Sequence, residues 1–68
     1  MIKVLKVKEA CEILKAHGMD TNVVRIEMGL RQGVYPFGTA IQMDKSWVYE
    51  VYDVLLRRWI AERSEAVA

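Results

Sequence analysis

Three segments of the chain space their apolar residues as amphipathic helices do. In the first, residues 7–17, apolar side chains recur at i, i+3, i+4 and i+7, which defines one stripe. The stripe consists of Val7, Ala10, Cys11 and Leu14. His17 followed by Gly18 is a favourable end, because glycine tolerates the backbone that closes a helix. The pattern therefore predicts a first helix over residues 7–17.

The second helical pattern covers residues 21–32 and follows a short connection. Asp20, Thr21 or Asn22 can supply an N-cap, and Gly33 is expected just beyond the last turn. The apolar stripe consists of Val23, Ile26 and Leu30, which lie within about 60° of one another on a helical wheel. The opposite side carries Thr21, Arg25, Met28 and Gln32. One face is therefore expected in the core and the other at the surface.

The pattern changes to a period of two after Pro36 and Gly38, which end the helix and allow a bend. Residues 39–43 and 47–51 are the predicted strands, with residues 44–46 at the tip of a hairpin. One face of the second strand carries Trp47, Tyr49 and Val51, and the other carries Val48, Glu50 and Tyr52. So small a hairpin needs support from helices, and the expected support is the pair Tyr35 and Phe37 on either side of Pro36.

Residues 53–63 form the third helical pattern, with Asp53 as the expected N-cap. Its expected buried stripe consists of Leu55, Leu56, Trp59 and Ile60. Residues 1–5 and 64–68 are expected to be loose ends, although residues 2–5 are also suited to a short strand. The predicted fold class is α+β, mainly α, in a single domain over residues 1–68. The order helix, helix, β-hairpin, helix predicts a winged helix-turn-helix, with the hairpin as the wing.

Composition narrows the range of function. The chain has 68 residues, 53% hydrophobic and 28% charged, which is typical of one small folded domain. A single cysteine excludes an intrachain disulfide, and one cysteine with one histidine disfavours a zinc site. No signal peptide or spanning segment of about 20 apolar residues is visible. We therefore expect a cytoplasmic protein without cofactor, metal or membrane contact.

Three stretches of sequence carry a resemblance to a known family. They are VKEACEILKAHG at residues 7–18, GLRQGVYPFGTAI at residues 29–41 and WVYEVY at residues 47–52. Together with the closing helix they make residues 6–60 resemble the small MerR-like and excisionase-like DNA-binding domains of phages and mobile elements. The resemblance implies a winged helix whose second helix enters the major groove, while the wing touches the backbone or the minor groove.

The chain departs from the pattern of that family in two ways. Lys6 and Val7 stand where the family usually has a serine or threonine cap, and the long dimerising helix of full MerR regulators is absent. The resemblance therefore implies a stand-alone excisionase or a very small phage regulator. Its expected partners are double-stranded DNA, an integrase or recombinase, and further copies that bind cooperatively to adjacent or repeated sites.

Seven residues are candidates for DNA contact. They are Thr21, Asn22, Arg25, Met28, Arg31, Gln32 and Lys45. Arginine and glutamine can pair with guanine and adenine through two hydrogen bonds, and an apolar side chain can touch a thymine methyl group. Residues 21–22 lie at a helix start, which favours phosphate, and Arg31 and Lys45 are placed to reach phosphates. Val24, on the same side, either contacts a methyl group or packs under the wing, and we favour packing.

The net charge of +1 leaves a second interpretation open. Most DNA-binding domains of this size are more basic, so a protein-interaction module, such as a phage-encoded inhibitor or adaptor, is the alternative. Basic residues cluster near both ends, at Lys3, Lys6 and Lys8 and at Arg57, Arg58 and Arg63, where solvated positions are more common than phosphate contacts. No catalytic pattern is visible, and we expect no enzyme activity.

Overall fold

The computed structural model describes residues 1–64. This part of the chain contains three helices and a three-stranded antiparallel sheet. In chain order the elements are β1 (Val4–Leu5), α1 (Val7–Ala16), α2 (Val23–Gln32), β2 (Gly38–Gln42), β3 (Trp47–Tyr52) and α3 (Asp53–Arg63). The α+β class is confirmed, and each of the three predicted helices and both predicted strands is present.

Helix α1 buries the apolar stripe that the sequence predicts. Val7, Ala10, Cys11 and Leu14 all lie in the core. The helix begins without a serine or threonine cap, but the carboxylate of Glu9 accepts a hydrogen bond from the backbone N–H of Lys6 at 3.3 Å. A carboxylate in the first turn also suits the positive end of the helix dipole. Glu9 thus supplies the reciprocal half of a capping box, the hydrogen bond from the third helical residue back to the backbone N–H of the cap residue.

Helix α2 begins two residues later than predicted, because Asn22 is its N-cap. The side-chain oxygen of Asn22 accepts a hydrogen bond from the backbone N–H of Arg25 at 2.8 Å. At the other end Gly33 has a φ of 72°, the left-handed backbone expected of a glycine that ends a helix. Ile26 and Leu30 are buried, so α2 is anchored through the face that the sequence predicts.

The sheet has the order β1-β3-β2, which places the C-terminal strand of the hairpin in the centre. Val4 pairs with Tyr52, and Leu5 pairs with Val51. The carbonyl oxygen of Lys3 also accepts a hydrogen bond from the N–H of Asp53 at 3.0 Å. The interpretation of residues 1–5 as a loose end is therefore wrong for Val4 and Leu5, and the alternative of a short strand holds.

Helix α3 corrects two expectations. Asp53 is the first residue of the helix rather than its cap, and its carboxylate accepts a hydrogen bond from Arg57 Nε at 3.0 Å. Leu55 is 37% exposed, whereas Leu56 and Ile60 are buried. The buried side of α3 is therefore narrower than predicted. Of the expected loose segment 64–68, only Ser64 lies within the described residues, and its hydroxyl donates to the carbonyl of Ile60 at 2.6 Å.

An aromatic cluster joins the base of the hairpin to the helices. Phe37 is fully buried, and its ring stacks on that of Tyr35 at a centroid distance of 5.1 Å. The ring of Trp59, from α3, packs edge-on against Phe37 at 5.2 Å. A Cβ atom at Gly29 would collide with the ring of Tyr35, so glycine lets this ring lie against α2. The expected support of the hairpin by Tyr35 and Phe37 is confirmed.

Candidate nucleic-acid interface

The side of α2 that points away from the core carries three of the seven candidate residues, and the N-cap of the helix, Asn22, is a fourth. Asn22, Arg25, Met28 and Gln32 are all exposed, and Met28 retains 44% of its surface. We call these four residues, together with Val24, the outward face of α2. Its members combine hydrogen-bonding groups with apolar atoms on a helix whose opposite side is fixed in the core.

Thr21 does not belong to this face, and its assignment as a DNA contact is corrected. Its side chain is only 5% exposed, and its hydroxyl oxygen is buried with no hydrogen-bond partner among residues 1–64. The physical reason is the position of the helix start. Thr21 precedes the N-cap, Asn22, whose backbone is extended with φ −147° and ψ 170°. A helical wheel therefore does not apply to residue 21.

Val24 is more exposed than the sequence analysis predicts. The favoured packing of this residue under the hairpin is wrong, because its side chain is 67% exposed. Val24 and Met28 are four residues apart and so lie on the same side of the helix. Together they form an apolar strip beside Arg25, and apolar contact with thymine methyl groups is chemically suited to such a strip.

Asn22 is engaged in capping, which gives it a structural role that can be measured. Asn22→Ala is expected to lower the free energy of unfolding by about 1 kcal/mol, because the first turn loses a hydrogen-bond acceptor. Asn22→Ser keeps an acceptor and is expected to retain most of the stability. Urea denaturation followed by circular dichroism measures both variants, and an alanine variant as stable as the original chain would contradict the capping role.

The β2–β3 hairpin, residues 38–52, lies beside α2 and ends in a tight tip. β2 packs against α2, and the N–H of Met43 donates to the carbonyl of Ser46 at 2.7 Å, which closes the tip. Lys45 is exposed between these two residues. The position of the candidate cation at the hairpin tip is thus as the sequence predicts.

Arg31 joins α2 to the hairpin, and sequence reasoning missed this contact. Its Nε donates a hydrogen bond to the hydroxyl of Tyr49 at 2.6 Å. The guanidinium carbon also lies 4.8 Å from the ring centroid of Trp47 and 5.6 Å from that of Tyr49. Such cation–π contacts contribute about 0.5–1 kcal/mol at exposed sites. We call Arg31, Trp47 and Tyr49 the arginine clamp.

In the sequence, the only indication of the clamp is that Trp47 and Tyr49 lie on one face of β3. That alternation predicts an aromatic surface, but it does not say which residue covers it. Arg31 is 18 positions away from Tyr49, so the contact depends on how the hairpin folds back onto α2.

The cations of this region are not neutralised by close carboxylates. Within residues 1–64 the ion pairs join Arg57 to Asp53 and Arg63 to Glu62. Neither pair includes Arg25, Arg31 or Lys45. By contrast, Arg57 and Arg63 are engaged within α3, where the guanidinium of Arg63 also lies 4.6 Å from the ring centroid of Trp59. The ion pairs within residues 1–64 therefore leave out Arg25, Arg31 and Lys45, as they do Arg58 on α3.

Neither a metal centre nor a membrane-spanning helix is found in the part of the chain that the structure describes. No group of three or more histidine, cysteine, aspartate or glutamate side chains there could hold a metal ion. No helix within the same residues has the length and apolar character needed to cross a bilayer.

Comparisons of the chain with protein-family models, with curated proteins and with solved structures give no match.

Proposed function

We propose that this protein is a sequence-specific DNA-binding protein of the winged helix-turn-helix type. In this proposal α2 enters the major groove and the β2–β3 hairpin, as the wing, lies on the DNA backbone. The observation that carries the proposal is the outward face of α2. It presents exposed Arg25 and Gln32 on a helix that the buried Ile26 and Leu30 hold in place.

The spacing of the two polar side chains suits base reading. Arg25 and Gln32 are seven residues apart, which corresponds to about 10 Å along the helix axis. That length matches roughly three base-pair steps at 3.4 Å each. Arg25 is the proposed reader of guanine and Gln32 of adenine, while Lys45 holds a phosphate.

Three base pairs provide little specificity, so several copies must act together. We propose cooperative binding to adjacent or repeated sites, where each bound copy raises the effective concentration of the next. The biological roles that fit are an excisionase that directs an integrase or recombinase toward excision, and a small phage transcriptional regulator. In either role the protein acts in the cytoplasm by binding, without a cofactor and without chemistry of its own.

A second candidate function, a protein-interaction module, is favoured by a specific observation on the hairpin. Ile41 and Val48 are cross-strand partners, and both are exposed on the side of the hairpin away from Trp47 and Tyr49. Met43 adds a further exposed apolar side chain near the tip. An inhibitor or adaptor could use this apolar surface, and the net charge of +1 suits such a role.

Arg25→Ala tests the DNA-binding proposal. We expect it to weaken binding to the preferred site by roughly 5- to 150-fold, because a bidentate contact to a base contributes about 1–3 kcal/mol of discrimination. The site is first selected from a random duplex library, and affinity is then measured by fluorescence anisotropy. Arg58→Ala is the matched control, since it removes an exposed arginine from α3 and is expected to leave affinity almost unchanged.

Salt dependence separates the two candidate functions. A DNA-binding protein should lose affinity steeply as ionic strength rises, since counterions are released from phosphates on binding. A folded protein that binds no duplex at low ionic strength would refute the proposal. An adaptor would still capture its protein partner when Arg25 and Lys45 are both replaced by alanine.

A further inference from the structure

We infer that Arg31 is a positioning residue, which holds the hairpin against α2 so that both elements engage one duplex as a unit. The inference rests on the proposed DNA-binding function for its consequence, but the clamp itself is a property of the free protein. It adds a structural role to the expectation that Arg31 contacts a phosphate.

The first argument is the chemistry of the arginine clamp. The hydrogen bond from Arg31 Nε to Tyr49 Oη is 2.6 Å long, and at the same time the guanidinium carbon lies over the rings of Trp47 and Tyr49. Lysine carries the same charge on one terminal ammonium and lacks both the Nε donor and the planar group, so it cannot reproduce this set of contacts. The contacts therefore depend on the planar guanidinium group and its Nε donor, not on the positive charge alone.

The second argument is where the clamp meets the hairpin. Trp47 pairs with Gln42 in the last rung of the β2–β3 ladder before the tip. The opposite end of β3 is held in the core by the fully buried Val51. Arg31 therefore holds the hairpin at its far end, where a small rotation about the base would move the tip most. Lys45, at that tip, is the residue whose position the clamp controls.

The third argument concerns what the clamp leaves available. Among residues 1–64 the hydrogen bond of the Arg31 side chain uses Nε, and no ion pair includes its guanidinium. Its two terminal amino groups are thus held at a fixed place between the helix end and the hairpin. Such a fixed donor pair suits a phosphate that is contacted from both elements at once.

A double-mutant cycle tests the inference. Lys45→Ala is expected to weaken DNA binding about threefold in the original chain and hardly at all in the Arg31→Lys background, since the tip is no longer held on the duplex. Arg31→Lys alone should weaken binding about tenfold, although the charge is kept. Fluorescence anisotropy on the selected site gives all four affinities. Independent effects that simply multiply, or full affinity of Arg31→Lys, would overturn the inference.

Two further measurements separate positioning from a loss of folding. Circular dichroism must show each variant folded, because unfolding would lower affinity equally with and without Lys45 and leave no coupling. Tyr49→Phe, which removes the acceptor without changing charge, should reproduce the coupling in weaker form.

A readout without DNA distinguishes failure of the clamp from failure of the proposed function. Amide hydrogen exchange at Met43, whose N–H closes the tip, should be faster in Arg31→Lys and in Tyr49→Phe than in the original chain. Unchanged protection would overturn the clamp even if DNA binds. If the original chain binds no DNA, the DNA-positioning role is refuted, and the exchange result alone decides whether Arg31 holds the hairpin.

Discussion

Replacement of Gly38 by alanine is expected to remove most of the stability of the fold. A Cβ atom at this position would collide with the carbonyl oxygen of Glu50, and it would lie 3.1 Å from the Cα of Val51. Both atoms belong to the backbone of β3, so neither can move aside without opening the sheet. We expect a loss of about 3 kcal/mol or more, against a total of roughly 3–5 kcal/mol for a domain of this size.

Gly33→Ala is the matched control for that substitution. Apart from Gly33 itself and its two chain neighbours, no residue among 1–64 has a heavy atom within 4 Å of a Cβ built at Gly33, but its φ of 72° is unfavourable for alanine. Backbone strain alone costs about 1–2 kcal/mol, so this variant should remain mostly folded. Urea unfolding followed by tryptophan fluorescence compares the two. If Gly38→Ala were as stable as Gly33→Ala, the close approach of β2 and β3 would not be a real constraint.

Phe37→Ala is expected to cost about 3–5 kcal/mol, the range for deletion of a buried phenylalanine. Phe37 is among the largest fully buried side chains, and it contacts the rings of Tyr35 and Trp59. Its removal leaves a cavity at the point where the hairpin meets the helices. Because this loss is as large as the roughly 3–5 kcal/mol expected for a domain of this size, we expect most of the variant to be unfolded, and the proposed DNA binding should be lost with the fold.

Thermal unfolding by circular dichroism measures this effect, with Phe37→Leu and Val48→Ala as controls. Phe37→Leu keeps much of the buried volume and should cost clearly less than the alanine variant. Val48 is exposed on the hairpin, so its truncation should change the free energy of unfolding by at most about 0.5 kcal/mol. A Phe37→Ala variant as stable as Val48→Ala would show that the aromatic cluster does not hold the hairpin.

The helices were predictable because their pattern is local. Four apolar residues at helical spacing define the buried stripe of α1, and two of the three predicted for α2, Ile26 and Leu30, are buried. For the same reason the outward positions of Arg25 and Gln32 follow from the sequence. The prediction for α2 fails at the N-terminus of the helix. Thr21 was assigned to the helix although it precedes the cap, and a wheel then placed a buried residue at the surface.

Apolar character alone was a poor guide to burial on short helices. Val24 and Leu55 are both hydrophobic, yet each keeps more than a third of its surface exposed. A helix of ten or eleven residues in so small a fold touches the core with a narrow strip, and other apolar residues on the helix are only partly covered by neighbours among residues 1–64. Which of two adjacent leucines faces inward depends on how the helix is rotated, which its neighbours in space decide.

Contacts between distant parts of the chain were not predictable. The clamp requires Arg31 to meet a strand 18 residues later, and β1 is too short for its pattern to distinguish a strand from a frayed end. Both become visible only when the hairpin is placed on the helices.

The pairing of β1 with β3 determines when the sheet can form during synthesis on the ribosome. Val4 precedes its partner, Tyr52, by 48 residues. The sheet therefore stays incomplete until residue 52 has left the exit tunnel, whereas α1 and α2 have been made well before then. Contacts so far apart in sequence slow folding, so we expect nascent chains that end before residue 47 to remain targets for chaperones and proteases.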